Sequence, residues 1–172
     1  DNFQNAFPIL KRYNISSTIF LSTGYIGRFM TNSEDITLPM LSEKLILEML
    51  QSGIVEFMPH GDSHQTFDHI PDKQILEEIA ISRKTVESLT QVPANIFSFP
   101  KGKFTPSSVD FLKKNGYIAS VCTHEGAVVA DKNVFVLRRN SIDSTTSFSE
   151  FRGKITKAIQ LYIWLKNILR KK

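Results

Sequence analysis

Two of the four histidines in this 172-residue chain, His60 and His64, stand four positions apart in the stretch EFMPHGDSHQTF, residues 56–67, directly after an apolar run. Two imidazoles on one turn suit a divalent cation that accepts nitrogen donors, Zn²⁺ first. Asp62, Ser63 and Asp68 beside them are of the types that complete or support a metal site. The spacing alone also suits two solvated loop imidazoles, or a capping imidazole and its neighbour. Their place at the exit of a buried strand favours ligation. The zinc-protease pattern H-E-x-x-H is excluded, because Gly61 occupies the position of its general-base Glu. His69, next to Asp68, and His124 are expected to be ordinary loop residues. The single cysteine, Cys122, lies within the apolar run YIASVCT. It rules out an internal disulfide and a thiolate cluster, and suits a small buried hydrophobe.

The elements that must position these groups follow from the periodicity. NFQNAFPILKRYN places Phe3, Ala6, Phe7 and Leu10 on one helical face and leads into the β-branched run STIFLS. SEKLILEMLQS has Ser42 as its cap and Gly53 just past its end, and is followed by the strand IVEFM that delivers the histidines. A long helix from Asp72 to Gln91 turns Ile75, Ile79, Val86 and Leu89 inward, with Lys73, Glu77, Glu78, Arg83 and Lys84 mostly outside that stripe. NIFSF follows as a strand. TPSSVDFLKKNG then supplies a cap at Thr105, Pro106 at the first helical position and Gly116 as terminator, ahead of the strand YIASVCT. VFVLR predicts a short last strand, and SFSE at 147–150 a capping box that opens a C-terminal helical region.

Strands separated by helices imply parallel pairing, so the class is α/β, as an open sheet or a barrel. Neither G-x-G-x-x-G nor G-x-x-x-x-G-K-[ST] follows any strand, which weakens the nucleotide-binding sheets and favours a barrel. In such folds chemistry collects at the C-terminal ends of strands. PHGDSH, PKG, THEG and RRNSID all fall there.

With 41% hydrophobic residues and thirteen Phe, the chain suits one well-packed domain, residues 1–172. The formal net charge of +4 is spread out, so nucleic acid is not the expected partner. No apolar run reaches the ~18 residues of a membrane span. ITKAIQLYIWLKNILRKK, within residues 155–172, has apolar residues on more than one helical face and a basic end. It could lie on an anionic membrane surface or pack against the barrel.

Several ordered segments resemble the polysaccharide deacetylases of carbohydrate esterase family 4, the NodB homology domain. DNFQNAFPILKRYNISSTIFLSTGYIG is similar to the segment after the family's first motif, and SGIVEFMPHGDSH to its histidine motif. NIFSFPKGKF resembles its FAYPYG-like motif, and NGYIASVCTHEGAV with VFVLRRNSID its closing strands. The resemblance implies a distorted (β/α) barrel that removes acetyl groups from N-acetylated polysaccharides with a divalent metal, most simply zinc, held by an Asp and two His. Carried over by position, His60 and His64 are the imidazole ligands. Lys101 lends its backbone N–H to the oxyanion, Phe99 and Pro100 line the acetyl pocket with it, and Arg139 orients a carboxylate. The resemblance also implies a bacterial protein of the cell envelope or outside the cell.

The departures are equally specific. The first motif, close to T-F-D-D-G-x-x-D-N, carries the general-base Asp and the metal-binding Asp, and Asp1-Asn2 resemble only its last two residues. The expectation is a barrel without its first strand and a chain that is impaired by itself, by truncation or by degeneration. Its open edges predict marginal stability or self-association. Gln65 stands where a proline often follows the second histidine, Lys101 replaces a tyrosine, and Arg138 replaces a proline. No segment after residue 140 matches the family's general-acid motif. The rival reading is a noncatalytic carbohydrate-binding or interaction module with the same fold.

Overall fold

The computed structural model describes residues 2–31, 35–126 and 133–156. Asp1 and the proposed C-terminal amphipathic helix from residue 157 onward lie outside them. The chain opens with a π-helical turn, Asn2–Ala6, that runs into α1, Phe7–Tyr13, with Pro8 in its first turn. Of the predicted inward face only Phe7 is buried, and Ala6 is exposed. β1, Ser17–Leu21, follows, then a hairpin of β2, Phe29–Thr31, and β3, Thr37–Pro39. α2, Glu43–Gln51, is capped by Ser42, whose hydroxyl accepts from the Leu45 N–H, and Gly53 at φ +74° turns the chain into β4, Val55–Pro59.

α3 spans Asp72–Thr90 and feeds β5, Ile96–Ser98. α4, Pro106–Lys114, begins in a capping box between Thr105 and Ser108 and leads to β6, Ala119–Val121. α5, Phe148–Lys154, is capped by Ser147, which accepts from the Glu150 N–H. VFVLR departs from its predicted strand. The Asn133 side chain accepts from the Phe135 N–H and winds Val134–Val136 into a 3-10 turn, leaving only Leu137 to bridge Val121 in parallel.

β1 pairs with β4 and β5 with β6, both parallel, as crossovers through helices require. Among the described residues the sheets are all two-stranded, and no continuous ladder closes a barrel. Two apolar clusters hold them. Phe7, Leu21, Ile46, Met49, Val55 and Phe57 form one; Phe67, Ile79, Phe97, Phe99, Leu112 and Tyr117 form the other. α3 joins them, contributing Val86 to the first and Ile75 and Ile79 to the second. Because strands of both pairs end on the same side, the turns after β4, β5 and β6 converge. Among the described residues no helix is long and apolar enough to cross a membrane.

Candidate active site

β4 ends at Pro59, and the next five residues, His60 to His64, make a tight turn. The His60 N–H donates to Leu21 O at 2.9 Å, extending the β1–β4 ladder by one residue. Gly61 lies at φ +75°, and a Cβ there would stand 2.9 Å from a Glu78 carboxylate oxygen, so glycine is required both by conformation and by space. The Thr23 N–H donates to Gly61 O at 3.1 Å, and the Gly24 N–H to Asp62 O at 3.0 Å. The Thr23 hydroxyl donates to the Asp62 carboxylate at 2.6 Å. The turn closes at His64, a non-glycine residue at φ +60°.

This backbone path brings the two imidazoles together, with ring centroids 5.1 Å apart. His60 Nδ1 lies 2.6 Å from Ser98 O on β5. A carbonyl only accepts, so Nδ1 carries the proton and Nε2 keeps its lone pair. The bond also links the two strand pairs where no ladder runs between them. Burial drives the His60 pKa down from 6.5 to about 4; the Ser98 bond opposes this, and His64 and Arg139 add to it. His64 is lowered too, by burial and then by Lys101, against Glu78. Both rings are therefore neutral at pH 7, the form in which an imidazole binds a metal.

The PKG turn after β5 runs from Pro100 to Gly102, with Lys101 at φ +52°. It is held at three points. The Phe99 N–H donates to Val121 O at 3.2 Å, the Gly102 N–H to Phe99 O at 2.8 Å, and the Thr123 hydroxyl to Lys101 O at 3.2 Å. Phe99 and Pro100 are fully buried. The Phe99 ring packs 5.5 Å from Phe97, 5.9 Å from Phe67 and 5.1 Å from Phe104, so it supports the turn from beneath.

Arg139 reaches in from beyond the 3-10 turn. Its Nη2 donates to the Ser98 hydroxyl at 2.9 Å and its Nε to Cys122 O at 3.3 Å, while the guanidinium lies 5.3 Å from the Phe20 ring centroid. Ser98 thus bonds both candidate residues, its carbonyl accepting from His60 and its hydroxyl from Arg139. Cys122 is buried as expected, 3.5 Å from Nδ1 of His124. His69 is exposed beside Asp68.

An open cleft of about 470 Å³ lies against the pair, lined by Phe20, Tyr25, Met30 and Leu41 with His60 and His64. The β2–β3 hairpin that supplies Met30 was not legible in the sequence. Among the described residues no third His, Cys, Asp or Glu groups with the two imidazoles. Asp62, a candidate from its sequence position, is turned instead to Thr23.

Glu78 is the main correction. It was expected outside the inward stripe of α3, yet it is 5% exposed and faces the histidine turn. The signal was present, since position 78 falls three residues after Ile75 and four before Ser82, on the buried face. The roles of Ser98 O and of Phe20 had no signal, because one is a backbone group and the other an ordinary strand residue.

The family model described as polysaccharide deacetylase matches residues 1–120. YxkH of Bacillus subtilis (strain 168) is 29% identical over 155 residues, 90% of this chain and 52% of its own length. The poly-beta-1,6-N-acetyl-D-glucosamine N-deacetylase of Staphylococcus aureus (strain MRSA252) is 27% identical over 145 residues, 80% of this chain and 49% of its own. The chain thus spans about half the length of the curated relatives it matches. Among solved structures, Streptococcus pyogenes deacetylase PplD in complex with acetate superposes with a TM-score of 0.78 at 22% identity, over 91% of this chain and 66% of that one. That likeness extends to the fold: α/β, of the carbohydrate esterase family 4 type.

Proposed function

Because this chain belongs to the polysaccharide deacetylase family, we propose that it forms the core of a metal-dependent hydrolase that removes acetyl groups from an N-acetylated polysaccharide. The observation that carries the reading is the imidazole pair: His60 with Nδ1 tied to Ser98 O and Nε2 left as a donor atom, and His64 at 5.1 Å between centroids, both neutral at pH 7. That donor set fits a divalent cation of borderline softness, zinc before magnesium or calcium. His60 Nε2 and His64 would hold it, and when bound it supplies Lewis acidity toward a carbonyl and lowers the pKa of water.

The other roles follow from the convergence of the turns. The Lys101 N–H, on a turn pinned by Val121, Phe99 and Thr123, would face the oxyanion of the acetyl carbonyl. Lys101 would border the acetyl group, with the fully buried Phe99 and Pro100 as its support. Arg139 would orient a carboxylate of the site while bonded to Ser98 and Cys122 O. No general base is assigned among the described residues. With two grouped imidazoles and no third ligand-type side chain beside them there, the 172 residues alone are expected to bind zinc weakly and turn over slowly.

The name of the staphylococcal relative makes a β-1,6-linked N-acetylglucosamine polymer the first substrate to try. The relatives named above are bacterial, and a polymer of that class would suit a protein of the cell envelope. The test is zinc- or cobalt-dependent acetate release from such oligomers by the full-length gene product and by its His60→Ala/His64→Ala variant. Release that the variant loses supports the proposal. Oligosaccharide binding without release by either protein would replace it with the noncatalytic reading.

A further inference from the structure

The histidine turn is an unfavourable piece of backbone. Gly61 and His64 both sit at positive φ, and for His64 that conformation is costly, persisting only where the surroundings enforce it. On the β1 side three bonds hold it, from Thr23 and Gly24 to Gly61 O, Asp62 O and the Asp62 carboxylate. On the α3 side, among the described residues, the Glu78 side chain holds it. The Asp62 N–H donates to Glu78 Oε2 at 2.6 Å, the Ser63 N–H to the same oxygen at 3.0 Å and to Oε1 at 3.3 Å, and the Ser63 hydroxyl to Oε1 at 2.5 Å. Two consecutive amides and a hydroxyl therefore converge on one carboxylate, the donor arrangement that backbone nests offer to anions.

The carboxylate is fixed as well as buried. Glu78 projects from the middle of α3, with Ile75 and Ile79 fully buried on the same face, and its backbone carbonyl accepts from the Ser82 hydroxyl at 2.6 Å. It fills the space against Gly61 that a Cβ would need. The three donors it binds belong to the residues between the two imidazoles, so a shift of the carboxylate changes where His64 stands relative to His60.

We infer that Glu78 is a positioning residue for the His60–His64 pair, setting from α3 the separation of two imidazoles it does not touch. The inference rests on the reading of the pair as metal ligands. Glutamine has the same length, but its amide nitrogen sets N–H groups against donors, so Glu78→Gln keeps the packing and breaks the bond pattern. Groups that orient ligands from behind are typically worth 10–100-fold in metal affinity.

The experiment is a Zn²⁺ titration of the full-length gene product, its Glu78→Gln variant and, as a control, Glu77→Gln at the exposed neighbouring position, with amide exchange measured at Asp62 and Ser63. Expected are binding at least ~10-fold weaker in Glu78→Gln, unchanged binding in Glu77→Gln, and faster exchange at both amides in Glu78→Gln alone. If Glu78→Gln does not fold, Ser63→Ala replaces it, removing one donor without touching α3, and should weaken zinc several-fold. Zinc binding by Glu78→Gln, or by that replacement, equal to wild type overturns the inference and leaves the ligand reading intact. If the wild-type full-length protein binds no zinc, the ligand reading fails; unchanged exchange at Asp62 and Ser63 in Glu78→Gln would then overturn the holding role too, and accelerated exchange would uphold it.

Discussion

The PKG turn offers the sharpest test of whether the geometry at the site is enforced. Gly102 lies at φ +68°, and a Cβ there would stand 2.1 Å from the Thr123 hydroxyl, 2.5 Å from the Thr123 backbone nitrogen and 2.9 Å from its Cβ. A rotamer change could move the hydroxyl away, but the backbone nitrogen cannot rotate clear. Gly102→Ala therefore carries two costs: about 1–2 kcal/mol for a left-handed conformation with a Cβ, and about 1–3 kcal/mol for overpacking. A central value of about 3 kcal/mol, at about 3 °C per kcal/mol for a chain of this size, lowers Tm by about 10 °C. Gly53 supplies the control. It has φ +74° with nothing within 4 Å of the added Cβ, so Gly53→Ala pays only the conformational cost and should lose about 3–6 °C. The assay is thermal unfolding of the three proteins by circular dichroism. With the Lys101 N–H in its proposed oxyanion role, a displacement of ~1 Å there is worth about 100-fold in rate. Equal melting temperatures for Gly102→Ala and Gly53→Ala would refute the claim that Thr123 clamps this turn.

Further outcomes follow from the same geometry. The His60 pKa falls from 6.5 in the unfolded chain to about 4 in the fold, so the unfolded state holds more protons between those values. The stability contributed by neutral His60 is complete above pH 6.5 and is lost as pH falls toward 4, about 3 kcal/mol in all. Urea midpoints should drop across this window in wild type and drop less in His60→Gln; parallel profiles would contradict the assignment. Arg139→Ala should cost about 2 kcal/mol, because it strips the buried Ser98 hydroxyl and Cys122 O of their donor. Arg139→Lys should not restore both bonds, since an ammonium lacks the planar fork, and equal denaturant midpoints for Arg139→Lys and wild type would count against this geometry.

What the sequence disclosed and what it hid divide along physical lines. Helix ends set by local bonds were legible: Ser42, Thr105 and Ser147 cap where expected, and Gly53 and Gly116 end their elements at positive φ. The parallel pairs followed from the alternation of strands and helices. The β2–β3 hairpin was missed because its strands are three residues each and carry no long alternation. The β-branched VFVLR misled because a local competitor, the Asn133 side chain, takes the Phe135 amide before a ladder can. At the site, the histidine pair was legible from its spacing and its place after a strand. For Glu78 only its place on the buried face of α3 was legible; its charge argued for solvent, and the donors that make burial tolerable lie fifteen and sixteen residues earlier in the chain.

Whether His60 and His64 are two ligands of one metal site is read by calorimetric zinc titration of the full-length gene product beside its His60→Ala/His64→Ala variant. Expected are one zinc per protein, released competitively by protons as the imidazoles titrate, and no comparable binding in the variant. Identical isotherms for the two proteins, or no heat from either, would contradict it and leave the histidines as structural residues of a turn.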